Sequence, residues 1–179
     1  MEQTGKGIFL FFLVFCVMPL LAEHLLTRHG KAEYVLVIPE NCSKELLDAV
    51  VDMTQILKES TGADFQTVKS EEAYWHDKRI FIGRSIAMES IAKPKTPCNE
   101  ERIYKSIGKD IVIYGGGRCG DVFAVYQFLM DTIGFRTLHF WGDSIIPRHP
   151  KLDLPKLNYD RVPSYIYRDL LQSSWNFYG

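Results

Sequence analysis

YKSIGKDIVIYGGGRCGDVFAVYQFLMDTIGFR, residues 104–136, carries a hairpin, a glycine turn and a helix in one passage. Arg102 to Ile107 and Asp110 to Tyr114 alternate as strands do, and Gly108-Lys109 between them is a Gly-first two-residue connection that suits a tight hairpin. Behind the glycines, Val122, Val125, Tyr126, Leu129 and Ile133 return at helical spacing, and Gly134 closes the run. The spacing therefore predicts strand, turn and helix over Asp121 to Ile133. A chain that switches period this way is building helices onto a sheet.

The flanks extend the pattern. Upstream, Tyr34 to Ile38 (YVLVI) is short, β-branched and closed by Pro39, which reads as a buried strand. Ser43 then predicts an N-cap, Leu46, Leu47, Val50, Val51, Met53 and Leu57 mark the apolar face of a helix, and Gly62 ends it. Asp64 to Val68 and Arg79 to Ile82 read as strands, the second ending at Gly83, and residues 88–100, with Pro94 and Pro97, read as a loop. Downstream, Phe135 to Phe140 is an aromatic-rich strand. Pro147, Pro150, Pro155 and Pro163 then favour an extended connector over another βαβ unit. The fold expected is α/β of the α+β type: a mixed β-sheet with two main helices packed on it. A domain over 33–147 is followed by a Pro-rich connector over 148–164.

Composition bounds the function. With 179 residues, 46% hydrophobic and 24% charged, disorder and low complexity are excluded. Lys and Arg total 21 against 22 Asp and Glu, a net charge of −1, which does not favour a nucleic-acid partner. A (β/α)₈ barrel, at about 250 residues, does not fit this length. Ile8 to Leu21 (IFLFFLVFCVMPLL) is an unbroken apolar run behind Lys6. It is shorter than the roughly 20 residues of a spanning helix and matches a signal-peptide core, with Ala22 as the small residue for cleavage. Residues 1–22 are thus expected to be a leader, and the protein to be exported to the periplasm, cell surface or medium. An uncleaved amino-terminal anchor is the alternative.

Cys42, Cys98 and Cys119 follow the leader with no CxxC and no zinc spacing, so at most one bridge can form within the chain and the sequence does not choose it. Asn41-Cys42-Ser43 satisfies the N-glycosylation pattern. His24, His29, His76, His139 and His149 are scattered. No metal and no cofactor is expected.

Gly115-Gly-Gly117-Arg-Cys-Gly120 is a literal GxGxxG between a strand and a helix, with Asp143 beyond it. Glycines there could let backbone N–H groups approach a pyrophosphate. The turn nevertheless follows a hairpin strand deep in the chain, and no second mononucleotide half comes after Asp143. A tight turn with close packing is the reading preferred, and nucleotide binding through Gly115–Gly120 is kept as an alternative.

Taken in order, YVLVIP (34–39), KESTGADF (58–65), IFIGRS (80–85), YKSIGKDIVIYGG (104–116), DVFAVYQFLMDTIGFR (121–136), IIP (145–147), LDLPKL (152–157) and PSYIYRD (163–169) resemble the domain that precedes the catalytic barrel in bacterial α-glucuronidases. The related domain of β-N-acetylhexosaminidases has a similar layout. That family usually carries Arg-Gly just before the second helix, where this chain has Cys119-Gly120 with Arg118 one place earlier. The resemblance implies a non-catalytic mixed sheet with helices on one side. It would stand ahead of a barrel in which two carboxylates hydrolyse glycosides of the xylan or glucuronoxylan type.

Residues 165–179 would then open that barrel. The resemblance makes Arg168 and Trp175 substrate-binding residues, conditional on a barrel following. A guanidinium can hold a carboxylate or sugar hydroxyls with two parallel bonds, and an indole face can stack on a pyranose. No catalytic residue is assigned: Glu71-Glu72 and Glu100-Glu101 read as solvated neighbours that point apart, and Asp143 stands alone. The partners implied are a catalytic barrel domain and a plant or host glycan. A stand-alone carbohydrate- or surface-binding module is the second reading. Expression in an exporting host should shorten the chain by about 22 residues; intact mass is the check, and Met1 retained on a cytosolic protein is the contrary result.

Overall fold

In a computed structural model, residues 24–91, 95–138 and 143–164 are described. The leader 1–22, Arg168 and Trp175 lie outside them. In chain order the strands are β1 (His24–Arg28), β2 (Lys31–Ala32) and β3 (Val35–Ile38), followed by helix α1 (Lys44–Thr61). Then come β4 (Thr67–Lys69), a 3₁₀ turn (Ser70–Trp75), β5 (Arg79–Ile82) and the short helix α2 (Arg84–Ser90). The hairpin β6 (Arg102–Ile107) and β7 (Asp110–Gly115) leads into α3 (Gly120–Thr132). Four short strands finish the described chain: β8 (Arg136–Thr137), β9 (Ser144–Ile145), β10 (Leu152–Leu154) and β11 (Asn158–Arg161).

The main sheet has six strands in the order β11-β6-β7-β5-β3-β4. Its β4-β3-β5-β7 half is parallel, and β6 and β11 add antiparallel pairs at one side. The fold is therefore a mixed α/β sheet of the expected class. From β3 the chain crosses to β4 in one direction; from β4 it returns past β3 to β5 and onward. Right-handed crossovers that reverse direction place their helices on opposite faces. Accordingly α1 packs on one face with Leu36, Ile38, Ile80, Ile82, Ile111 and Ile113, joined there by α3. The 3₁₀ turn and α2 cover the other, where Ala73 and Ile86 meet Val37 and Val68, and Ala87 meets Ile103, Val112 and Tyr114.

The local signals for α1 are realised in detail. The Ser43 hydroxyl accepts from the Leu46 N–H at 3.2 Å, and Gly62 stands left-handed at φ 75° with its N–H on the Lys58 carbonyl. Gly108 takes φ 59° in the β6–β7 turn, and Gly134 φ 77° after α3. Arg79 grips Asp110 through Nε at 3.2 Å and a terminal nitrogen at 2.6 Å, while its backbone N–H donates to the same carboxylate. That pair ties the starts of β5 and β7 together.

Several expectations are corrected. Helices do not lie on one side only, because α2 takes the opposite face; its last residues, 88–90, fall within the loop expected over 88–100. The strand expected over Asp64 to Val68 lies instead at Thr67–Lys69, since Ala63 and Phe65 turn inward to close the core under α1. Glu71 and Glu72 sit in a 3₁₀ turn, not in a strand. Of Phe135 to Phe140, Arg136–Thr137 pairs with Ser144–Ile145, and residues 139–142 are not among those described. The Pro-rich stretch is extended, but it is woven into the sheets: β10 pairs with β1, and β11 with β6. Ser43→Ala should cost about 1 kcal/mol, the usual value of an N-cap, seen as a lowered denaturation midpoint with an unchanged denaturant slope.

Candidate functional site at the carboxyl ends of the parallel strands

In open α/β sheets, ligands favour the crevice beyond the carboxyl ends of the strands, where neighbouring connections leave to opposite faces. Here that point lies between β3 and β5. It is closed by the chain itself: a Cβ on Gly83 would lie 3.0 Å from Leu46 Cδ2 and 3.2 Å from Pro39 Cγ. The glycine turn one strand along is closed more tightly. A Cβ on Gly116 would fall 1.6 Å from the Cys98 carbonyl oxygen, one on Gly115 2.2 Å from the Gly120 backbone, and one on Gly117 1.9 Å from Asn99 Oδ1. Residues 97–101 thus fill the space a pyrophosphate would need. The Gly116 N–H donates to the Glu101 carbonyl at 3.0 Å, and the Glu100 N–H returns to the Gly116 carbonyl at 3.0 Å.

The start of α3 is also occupied. Asp121 accepts the Gly115 N–H at 2.8 Å and the Arg84 N–H at 3.1 Å, linking β7, α2 and α3 through one carboxylate. Burial pushes its carboxyl up, against the pull of those two N–H groups. Burial likewise pushes the Cys42 thiol up, with Lys69 opposing and Asp121 assisting, so this thiol is held protonated and poorly nucleophilic. Cys42, Cys98 and Cys119 are all free thiols.

Beside the turn lies a charge cluster that the sequence reading missed. Glu101, expected to be solvated, has a fully buried side chain. Its carboxylate accepts from Lys95 Nζ at 2.5 Å and from the Cys98 N–H at 2.7 Å. Lys95 also reaches Asp160 on β11 at 3.1 Å, and Lys105 reaches the same carboxylate at 3.0 Å. Asp160 stands opposite Ile103 in the β11–β6 register, so β-strand alternation puts it on the α2 face. Two lysines and two carboxylates balance each other here. The cluster clamps the 95–101 segment and β11 against the sheet. Partial burial pushes the Asp160 carboxyl up, but the hydrogen bonds it accepts from Lys105 and Lys95 outweigh it and draw it down to about 2.

Open concavities lie elsewhere among the described residues, two of them on well-defined elements. One of about 430 Å³ lies between α1, α3 and the β8–β9 hairpin, lined by Asp52, Gln55, Glu59, Tyr126, Phe135 and Ser144 among others. Tyr126 donates to Asp52 there, and burial together with that carboxylate pushes its phenol up to about 12. The other, about 540 Å³, is lined by Arg28, His29, Thr61, Pro150 and Lys151. Among the described residues no group of His, Cys, Asp or Glu is arranged to hold a metal ion, and no helix is long and apolar enough to cross a membrane. Asp143 and the pair Glu71-Glu72 are exposed and lie apart from the clamp in the fold. Asn41 of the glycosylation pattern is exposed too.

Gly116→Ala should destabilise the fold by more than 2 kcal/mol, because the colliding atom is a backbone carbonyl that cannot step aside. Millimolar NAD should give no thermal shift to the native protein; a dose-dependent rise would return the turn to nucleotide binding. In acid, Asp160 has a folded value below its unfolded one. The stability it supplies is therefore complete above about pH 4 and lost as pH falls towards 2. Asp160→Asn should flatten that acid limb in melting temperatures taken across the range, leaving a protein less stable at neutral pH.

No protein-family model matches this chain, and no curated protein matches its sequence.

Proposed function

We propose that this chain is the non-catalytic amino-terminal portion of an exported glycoside hydrolase of the α-glucuronidase type, acting in xylan or glucuronoxylan breakdown. The observation that supports this reading is the ordered series of short motifs over residues 34–169, together with a mixed sheet among the described residues that carries α1 and α3 on one face. In the described part, the two carboxylates that come together, Glu101 and Asp160, are bound by lysines within a charge-balanced clamp. A glycosidase pair would need its carboxyl groups about 5–9.5 Å apart across an open cleft. In this proposal such a pair belongs to a barrel beginning within residues 165–179, where Arg168 and Trp175 would meet the sugar.

A second reading, a carbohydrate-binding module acting in its own right, is favoured by one surface feature. Tyr74 and Trp75 stand side by side, 82% and 81% exposed. Reading the encoding gene beyond Gly179 separates the two: a barrel with paired acids supports the hydrolase, a stop codon the module. The chain by itself is expected not to turn over aryl glycosides or glucuronoxylan fragments. Turnover abolished by a point change within residues 24–164 would defeat the accessory role.

A further inference from the structure

We infer that Tyr74 and Trp75 form a stacking platform for the pyranose rings of a neutral glycan chain, an inference that deepens the second reading and rests on its carbohydrate chemistry. The two rings end the 3₁₀ turn between β4 and β5, with centroids 5.6 Å apart and planes at 81°. Neither serves the core. Only Ala73 of the turn is buried, and it packs with Val37, Val68 and Ile86 while its two aromatic neighbours project outward.

Leaving two large aromatic side chains in water forgoes the gain of burying their apolar surface. Two adjacent rings in water make a small apolar patch that a ligand can cover. The size of the patch decides what kind of ligand. Two rings can bury about 150–250 Å² each, well short of the roughly 800 Å² per partner of a stable protein interface. Their neighbours do not enlarge it: Glu71, Glu72 and Asp77 are exposed acids, and His76 is half-buried. Asp77 is paired with Lys109 at 2.9 Å, but Glu71 and Glu72 leave this edge of the patch acidic, which disfavours nucleic acid, an acidic membrane and a uronic-acid-rich chain. A pyranose presents an apolar C–H face the size of one aromatic ring and a rim of hydroxyls, and it needs no more than a ring and hydrogen-bond acceptors beside it. Carboxylates and an imidazole supply those acceptors. Two faces nearly at right angles suit a chain whose successive rings twist, so that each aromatic ring can take one sugar.

The experiment is retention of the full chain in native gels and its titration by calorimetry with xylohexaose, cellohexaose and chitohexaose. Three proteins are compared: the wild type, Tyr74→Ala/Trp75→Ala, and Glu59→Ala in the α1–α3 cavity. The wild type should bind at least one of the three oligosaccharides. The double variant should bind it at least tenfold more weakly with an unchanged melting temperature, since both side chains are exposed, and Glu59→Ala should bind as the wild type does. Equal binding by the double variant, or loss confined to Glu59→Ala, overturns the platform while leaving glycan recognition in place. Wild-type binding to none of the three overturns it as well, as does self-association that the double variant abolishes, which would make the pair a protein contact. The hydrolase reading is judged separately, on export and on the carboxylates encoded beyond Gly179.

Discussion

Backbone-to-backbone contact at the β7–α3 turn is the constraint around which the rest is arranged. Gly115, Gly116 and Gly120 let the end of β7, the start of α3 and the 97–101 segment touch without any side chain between them. From that contact follow the angle at which α3 returns across the sheet, the burial of Glu101, and the route by which the chain reaches β6. A side chain at any of the three would force backbone apart, and backbone cannot rotate away as a side chain can. The same closeness gives the motif a packing purpose. Where a dinucleotide fold leaves such a groove open for phosphate, this chain lays its own loop in it.

The elements governed by nearest-neighbour chemistry were legible in the sequence. Ser43 and Gly62 bracket α1, Gly108 and Lys109 turn the hairpin, and Gly83 ends β5, because caps and turns depend on a few adjacent residues. The elements that depend on distant partners were not. β1 has little pattern of its own and exists because β10 pairs with it. The Pro-rich stretch announces extended backbone but not the strands beside which it lies. α2 is too short to show a full helical period, and its placement follows from the direction in which the chain crosses the sheet. Glu101 illustrates the limit best: next to Glu100 it reads as a solvated acid, and it is Lys95 and the Cys98 N–H, brought in by the fold, that make burial tolerable.

The electrostatic groups divide by purpose. Asp110 with Arg79 and Asp160 with its two lysines join strands across the sheet, and Asp121 replaces a helix cap by linking three elements. These are joints. The polar groups around the α1–α3 cavity and the Tyr74–Trp75 pair fasten little and face outward. Fastening groups thus sit at both ends of the parallel strands and beside β11, while the cavity lies on the α1–α3 face and the aromatic pair next to the β4 edge.

The pairing of β1 with β10 has a consequence for the order in which the chain can fold. The Leu152 N–H reaches the Thr27 hydroxyl across 125 residues, and Leu26 between those strands is fully buried. The earliest described strand therefore has only local partners, β2, Glu33 and Tyr34, until the far end of the domain has been made. Contacts of such long sequence separation form late, because their loop must close before they return any energy. A nascent chain emerging amino terminus first would carry β1 as a loose end beside any targeting segment that precedes it. The domain would lock only when β10 arrives.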